Sequence, residues 1–133
     1  MDENSLLSYQ EKRRARRAVT PTGATAILKI DEVLELNLVR DISCLGMLTC
    51  HFYTGNQYEI DSLVSDIIIN IPPAELNSGK KHHFSIEKGK IVRSFFDTNS
   101  HNYFYGIEFI DESPYLMEMI DIYADEVLLS KNT

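Results

Sequence analysis

The chain has 133 residues, 44% of them apolar and 25% charged, which is room for one globular domain with a hydrophobic core and hardly for two. A net charge of −7 argues against general affinity for nucleic acid or anionic membranes, and no apolar run approaches the roughly 18 residues of a bilayer span. The polar start Met1-Asp2-Glu3-Asn4-Ser5 is followed by no apolar stretch of signal-peptide type, and Cys44 and Cys50 read as buried or half-buried free thiols of a reducing compartment, so the expected location is the cytoplasm.

Residues 1–11 have weak periodicity and read as a flexible lead or a short helix. Residues 12–17, Lys12-Arg13-Arg14-Ala15-Arg16-Arg17, hold five of the thirteen basic residues; from Ala18 onward 8 Lys/Arg face 17 Asp/Glu. An acidic body thus carries one concentrated positive site, suited to a small multiply charged anion. Thr20-Pro21-Thr22-Gly23 marks a loop. Ala24 to Ile30 is β-branched and predicts a strand, Asp31-Glu32 turns the chain, and Val33 to Arg40 alternates as a half-buried strand does. Asp41 to Gly46 is a polar, tight segment, and Met47 to Tyr53 resumes strand character. Gly55-Asn56 signals a turn, Ile67 to Ile71 a strand stopped by Pro72-Pro73, and Asn77-Ser78-Gly79 another turn.

His83 to Ile86, Glu87-Lys88-Gly89 and Lys90 to Phe96 together predict a hairpin. A polar loop, Asp97 to Asn102, leads to a last strand, Tyr103 to Ile110. The period then changes. Ser113-Pro114 supplies an N-cap and a first-turn proline, after which Leu116, Met119, Ile120, Tyr123, Val127 and Leu128 recur at helical spacing. Six or seven short strands followed by one amphipathic helix predict an antiparallel barrel or sandwich capped by that helix. The helix Met and Tyr positions are expected to be core or dimer contacts.

Two features carry chemistry. Arg13 and Arg17 form an Arg-x-x-x-Arg pair, and Asp41-Ile42-Ser43-Cys44-Leu45-Gly46 is an Asp-x-Ser-x-x-Gly beginning 24 residues after Arg17. Together, with Lys90-Ile91-Val92-Arg93 and Gly106-Ile107-Glu108-Phe109 in later strands, they resemble the PilZ domain family from about residue 11 to the C-terminal helix. Each motif alone is weak; their order and spacing are specific. The resemblance implies a mostly β fold: a six-stranded antiparallel PilZ-type barrel with a C-terminal amphipathic α-helix. It divides the chain into a lead (1–11) and one domain (12–133), the latter comprising an arginine-rich arm (12–23), a barrel (24–111) and a helix (113–130).

The resemblance also implies a non-enzymatic bacterial receptor for cyclic di-GMP, with that nucleotide as ligand, no other cofactor, and a downstream protein partner. The residue chemistry agrees. Arginine pairs bidentately with phosphate or with guanine O6 and N7 and stacks on a purine. The implied ligand residues are Arg13, Arg14, Arg17, Asp41, Ser43 and Gly46. Arg13 and Arg17 would grip guanine edge and phosphate, with Arg14 adding a stacking or phosphate contact. Asp41 would accept from guanine N1–H and N2–H₂, Ser43 would bond ligand or turn backbone, and Gly46 would shape the floor. Arg93 is a further contact or a solvent-facing residue. The arm, polar and like-charged, is expected to order over the barrel when ligand binds and to create a partner surface.

Rival readings are fewer in support. A PilZ-fold adaptor without nucleotide binding is opposed by the intact arginine and Asp-x-Ser-x-x-Gly elements. A nucleic-acid-binding barrel would line a groove with basic and aromatic residues, whereas this body is acidic. Cys44, Cys50, His51 and the His82-His83 pair do not have the spacing of a zinc site, and alternation points Cys50 and His51 to opposite faces.

Overall fold

The computed structural model describes residues 17–52, 57–72, 81–110 and 113–131. In chain order these form β1 (Ala18–Val19), β2 (Thr25–Ile30), β3 (Val33–Ser43), β4 (Gly46–Phe52), β5 (Leu63–Ile71), β6 (His82–Asp97), β7 (Asn102–Ile110) and the helix α1 (Pro114–Lys131). The ladder runs β3-β2-β5-β6-β7-β4, and the pairing of β4 back onto β3 closes a six-stranded antiparallel barrel. Closure removes the sheet edges. β1 lies outside the ring as an extra strand on the end of β3, with Ala18 opposite Ile42 and Val19 opposite Asp41.

The turns follow local chemistry. Asp31 and Glu32 both have positive φ (51° and 67°), the mirror-image turn that suits the twist of a tight hairpin. Cys44-Leu45 joins β3 to β4, and Asp97 holds the β6–β7 turn through the Asn99 amide and the Ser100 hydroxyl. The expected Gly55-Asn56 and Asn77-Ser78-Gly79 turns lie outside the described residues.

The hairpin expected over residues 83–96 is not formed. β6 is one strand of 16 residues, its first part paired with β5 and its second with β7. Lys88 stays in the ladder, paired with Ser65 of β5 on one side and Ile110 of β7 on the other. Gly89 serves close packing instead of a turn: a Cβ there would sit 3.0 Å from Ile107 Cγ2 and 3.1 Å from both the Glu108 carbonyl oxygen and Ile67 Cδ1.

Alternation sends Ile67, Ile69 and Ile71 of β5, Ile86 and Ile91 of β6, and Ile107 of β7 into a fully buried core. β3 departs from simple patterning. Its Leu34, Leu36 and Leu38 are 67%, 63% and 41% exposed on the outer wall, while Asn37 and Val39 point inward. Buried Asn37 is satisfied: it donates to the Thr49 hydroxyl (3.3 Å) and accepts from Tyr58 Oη (3.1 Å). The Tyr58 amide in turn donates to Tyr105 Oη (3.1 Å), which lies 3.2 Å from His51 Nε2. A hydrogen-bonded polar cluster therefore fills one end of the barrel, and each member meets the requirement that buried polar groups be paired.

At the other end α1 lies against β1 and β3. Ser113 caps it, accepting the Leu116 amide at 3.2 Å. The helix buries Ile120, Tyr123 and Ala124, with Leu116 and Val127 partly buried at the margin. Met119, counted among the apolar face, is 38% exposed, and the side chain of Leu128 is not described. The Tyr123 ring packs on His82 (4.6 Å) and Phe84 (6.2 Å).

Burial holds the Tyr58, Tyr105 and Tyr123 phenols above the ordinary value of 10.0, with the Glu35 carboxylate adding to the effect at Tyr58 and Tyr105. The folded chain thus keeps protons that the unfolded chain releases. Their stabilisation is whole below about pH 10 and is lost as pH climbs through the folded values, by up to ~1.4 kcal/mol per pH unit per tyrosine. Urea midpoints measured from about pH 9 to 11 are expected to fall steeply, and less steeply in Tyr58→Phe. Gly89→Val is expected to lower stability by roughly 2–3 kcal/mol through overpacking, measured by the same unfolding curves at neutral pH.

Candidate functional site

Two β-bulges decide what the outer wall presents. On β3, Val39 stands opposite Thr49 and Asp41 opposite Leu48, leaving Arg40 as the extra residue. Without it Asp41 would follow Asn37 and Val39 into the core. With it Asp41 faces out, and Ile42 takes the inward place at 0% exposure. β6 repeats the device: Ile91 is opposite Ile107 and Arg93 opposite Gly106, with Val92 extra. A one-residue slip exchanges the faces of every later residue, and bulges are the local means of doing so.

The consequence is a row on the outer surface. Asp41, Leu48, Gly106 and Arg93 stand side by side across β3, β4, β7 and β6. Three strand spacings separate its charged ends, about 14 Å. The next row contains Ser43, Gly46, Glu108 and Lys90. Between the ends lies a cleft of ≈ 260 Å³, lined among others by Arg17, Asp41, Gly46, Leu48, Arg93 and Glu108.

Glycine makes the cleft. A Cβ on Gly46 would overlap the Ile107 carbonyl oxygen, so only glycine allows β4 to approach β7 here. A Cβ on Gly106 would lie 3.2 Å from Arg93 Cβ; its absence lets the Arg93 stem cross the floor. The Arg93 guanidinium then rests 5.3 Å above the Phe95 ring, itself stacked on Phe104 at 5.1 Å and 3°. An exposed cation–π contact of this kind is worth about 0.5–1 kcal/mol, enough to bias the head group toward the Phe95 ring.

The opposite wall is the root of the arginine arm. Arg17 Nη1 lies 2.8 Å from Asp41 Oδ1, with side chains 59% and 21% exposed respectively. β1 fastens the chain immediately after Arg17, and the Thr20 amide donates to the Arg40 carbonyl at the bulge (3.1 Å). The Thr20 hydroxyl bonds the Val39 carbonyl. Arg17 is thereby delivered to the cleft by backbone pairing.

The residues expected at the site divide by position. Arg17, Asp41 and Gly46 line the cleft together. Ser43 also borders it but is 1% exposed, and its hydroxyl serves the turn, donating to the Gly46 carbonyl (3.4 Å) and accepting the Leu45 amide (3.2 Å). Arg13 and Arg14 lie outside the described residues. Arg93 joins the cleft from a late strand. Glu108, Phe95 and Phe104 were not anticipated. The alternation Ile107-in, Phe109-in already implied that Glu108 faces out, but only the ladder register reveals that it borders this cleft.

Among the described residues no group of three His, Cys, Asp or Glu is placed to hold a metal, and no helix is long and apolar enough to cross a membrane. Cys50 lies on the outer face of β4, 1% exposed, with its thiol pushed up by burial against a lowering effect of Arg40. His51 points inward to Tyr105, so the pair does not share a face.

No family model and no curated protein matches the sequence. Solved structures do. The PilZ domain of Escherichia coli YcgR with c-di-GMP superposes with a TM-score of 0.62 at 14% identity, covering 91% of this chain and 95% of that one. The Bacillus subtilis inhibitor of motility, MotI/DgrA, gives 0.72 at 17% identity over 91% of this chain and 53% of that one. The K. pneumonia MrkH–c-di-GMP complex gives 0.69 at 16% identity over 90% and 54%. The chain therefore has the fold of the PilZ domain, and it spans about half the length of the MotI and MrkH chains.

The Arg17–Asp41 pair is exposed on one side, so its contribution to stability is small. Asp41→Asn is expected to change the unfolding free energy by less than about 1 kcal/mol. Gly46→Ala, which forces backbone apart, is expected to cost roughly 3 kcal/mol or more. Parallel denaturant titrations of the two variants check this difference.

Proposed function

We propose that the chain is a cyclic di-GMP receptor and that the cleft between Asp41 and Arg93 is its nucleotide site. The observation that carries the reading is the convergence of Arg17, Asp41 and Arg93 on a glycine-floored cleft, in a fold whose solved examples include c-di-GMP complexes of YcgR and MrkH. The ligand has two phosphodiester charges and two guanines. The cleft offers cations at both ends and, in Asp41, an acceptor for the guanine N1–H and N2–H₂ edge, which adenine lacks.

In this reading the Arg17–Asp41 pair is a ready-made half of the site. An incoming guanine would take Asp41 as acceptor while Arg17 turns to O6 and N7 or to phosphate, an exchange of one charge-assisted contact for others of equal or greater strength. Arg13 and Arg14 would add phosphate and stacking contacts as the arm closes over the nucleotide. Gly46 would leave the floor open, and Ser43 would hold the turn that aims Asp41. The reading entails no turnover: binding would change the shape and charge of the outer wall, and a partner protein would read that change.

Isothermal titration with cyclic di-GMP, with GTP and cyclic di-AMP as controls, tests the proposal. Saturable binding at about micromolar concentration or tighter, selective for cyclic di-GMP, is expected. Arg17→Ala and Arg13→Ala should each weaken it about tenfold or more, a loss of ~1.4 kcal/mol or greater. Asp41→Ala should narrow the preference over cyclic di-AMP. Absence of heat and of any thermal shift at about 100 µM ligand would sink the reading and leave the adaptor without nucleotide as its replacement.

A further inference from the structure

Outward leucines on a barrel strand are unusual cargo. Leu34, Leu36 and Leu38 of β3 are flanked on the same wall by Ile27 of β2 and Ile68 of β5, each 37% exposed. In register, Ile68 stands opposite Ile27, and Ile27 opposite Leu36, so these three form one apolar row crossing three strands. Contiguous apolar patches of this kind on a protein surface mark contact sites.

The charges around the row are arranged about it. Along β3 and its leading turn, every second residue from 32 to 40 reads Glu, Leu, Leu, Leu, Arg. Glu32 and Arg40 are both exposed and stand four residues either side of Leu36, about 13 Å away. Glu32 reaches the outer wall, where it meets Lys29 at 3.3 Å, and Arg40 is the bulged residue beside outward-facing Cys50.

We propose that this wall is the interface between two copies of the chain, related by a two-fold axis along the row Ile68-Ile27-Leu36. Such an axis lays β3 antiparallel to its copy, so each row residue meets itself and Leu34 meets Leu38. Glu32 of each copy then faces Arg40 of the other, twice per dimer. On β2, Lys29 faces Thr25, and on β5, Asp66 faces Asn70. No like charges oppose among these outward positions, which is the self-complementarity an isologous interface requires. The charge order also selects the antiparallel arrangement, since a parallel one would set Glu32 on Glu32 and Arg40 on Arg40.

The patch measures about 26 Å along β3 by about 14 Å across three strands, roughly 400 Å² per copy. That is about half the area per partner of a standard interface. The dimer is therefore weak, dissociating on the order of 10–100 µM. The inference does not rest on the nucleotide reading, since no residue of the apolar row lines the cleft.

Sedimentation velocity on the full chain from about 5 to 500 µM tests it without added ligand. The weight-average mass is expected to rise from 15.3 kDa toward twice that value, and Leu36→Glu should remain monomeric throughout. Leu36 is exposed enough for that variant to keep its fold, which its circular dichroism and urea midpoint check. Glu32→Arg and Arg40→Glu supply a second, reciprocal test. Each alone should weaken self-association about fivefold or more, whereas an equimolar mixture of the two should form a heterodimer at least as tight as wild type. A wild-type chain monomeric at about 500 µM, a Leu36→Glu variant as dimeric as wild type, or a mixture no tighter than its components would each overturn the proposal.

Discussion

Closing six strands into a ring gives each residue on them a face, and much of this molecule follows from where that assignment is changed. Within an unbroken strand, alternation would bury Asp41 behind Asn37 and Val39, and Arg93 behind Ile91. A carboxylate or guanidinium sealed in an apolar core costs several kcal/mol even after relaxation. The bulges at Arg40 and Val92 avoid that cost and place the two charged groups in one register row on the outer wall. The bulges thus shape the cleft, which Val92 itself helps to line. The same turn of β3 leaves Ile42 and Met47 paired inside, so the core resumes without a gap.

Between those two charged ends the wall is lowered by glycines. Gly46 and Gly106 belong to neighbouring strands and to adjacent rows, and each removes a side chain for a different reason. At Gly46 backbone meets backbone, so no side chain of any kind fits. At Gly106 the occupant of the vacated space is the Arg93 stem, which then reaches Phe95. The cleft so formed has the Arg93 guanidinium at one end and the Arg17–Asp41 ion pair at the other. Among the described residues two guanidinium groups, Arg17 and Arg93, and two carboxylates, Asp41 and Glu108, line this cleft, in a chain that from Ala18 onward has 17 Asp/Glu against 8 Lys/Arg.

Much of the fold could be read from the chain. The Asp31-Glu32 turn, the Ser113 cap, the strand after Thr20-Pro21-Thr22-Gly23 and the final helix all announce themselves through local chemistry that acts over a few residues. Glu87-Lys88-Gly89 misleads because a polar pair followed by glycine has the composition of a hairpin turn. What keeps β6 continuous is non-local: β5 and β7 supply partners on both sides, and Gly89 is needed for their close approach. The motif residues Asp41 and Gly46 could be picked out in advance, but Ser43's engagement by its own turn depends on the hairpin geometry. Glu108 and the Phe95–Phe104 stack became visible only with the register, because period-two patterning says which residues face out and never which strands lie side by side.

The outward leucines answer to the same constraint that turned Asp41 outward. If β3 were rotated by one residue so that Leu34, Leu36 and Leu38 faced the core, unbroken alternation would carry Arg40 inside with them. It would also expel Asn37 from its bonds to Thr49 and Tyr58. The observed register keeps a paired amide in the interior and a charge in water, and it leaves apolar surface exposed, a penalty of about 25 cal/mol for each Å² left in contact with solvent. Neither arrangement satisfies every residue of β3 within a single chain. Covering the leucine face with a second copy removes the remaining conflict, because the surface that the inward register would have buried is buried between chains. A strand whose inward face is polar and hydrogen-bonded and whose outward face is apolar is consistent with a fold completed by association, and Glu32 and Arg40 at its two ends determine how the copies align.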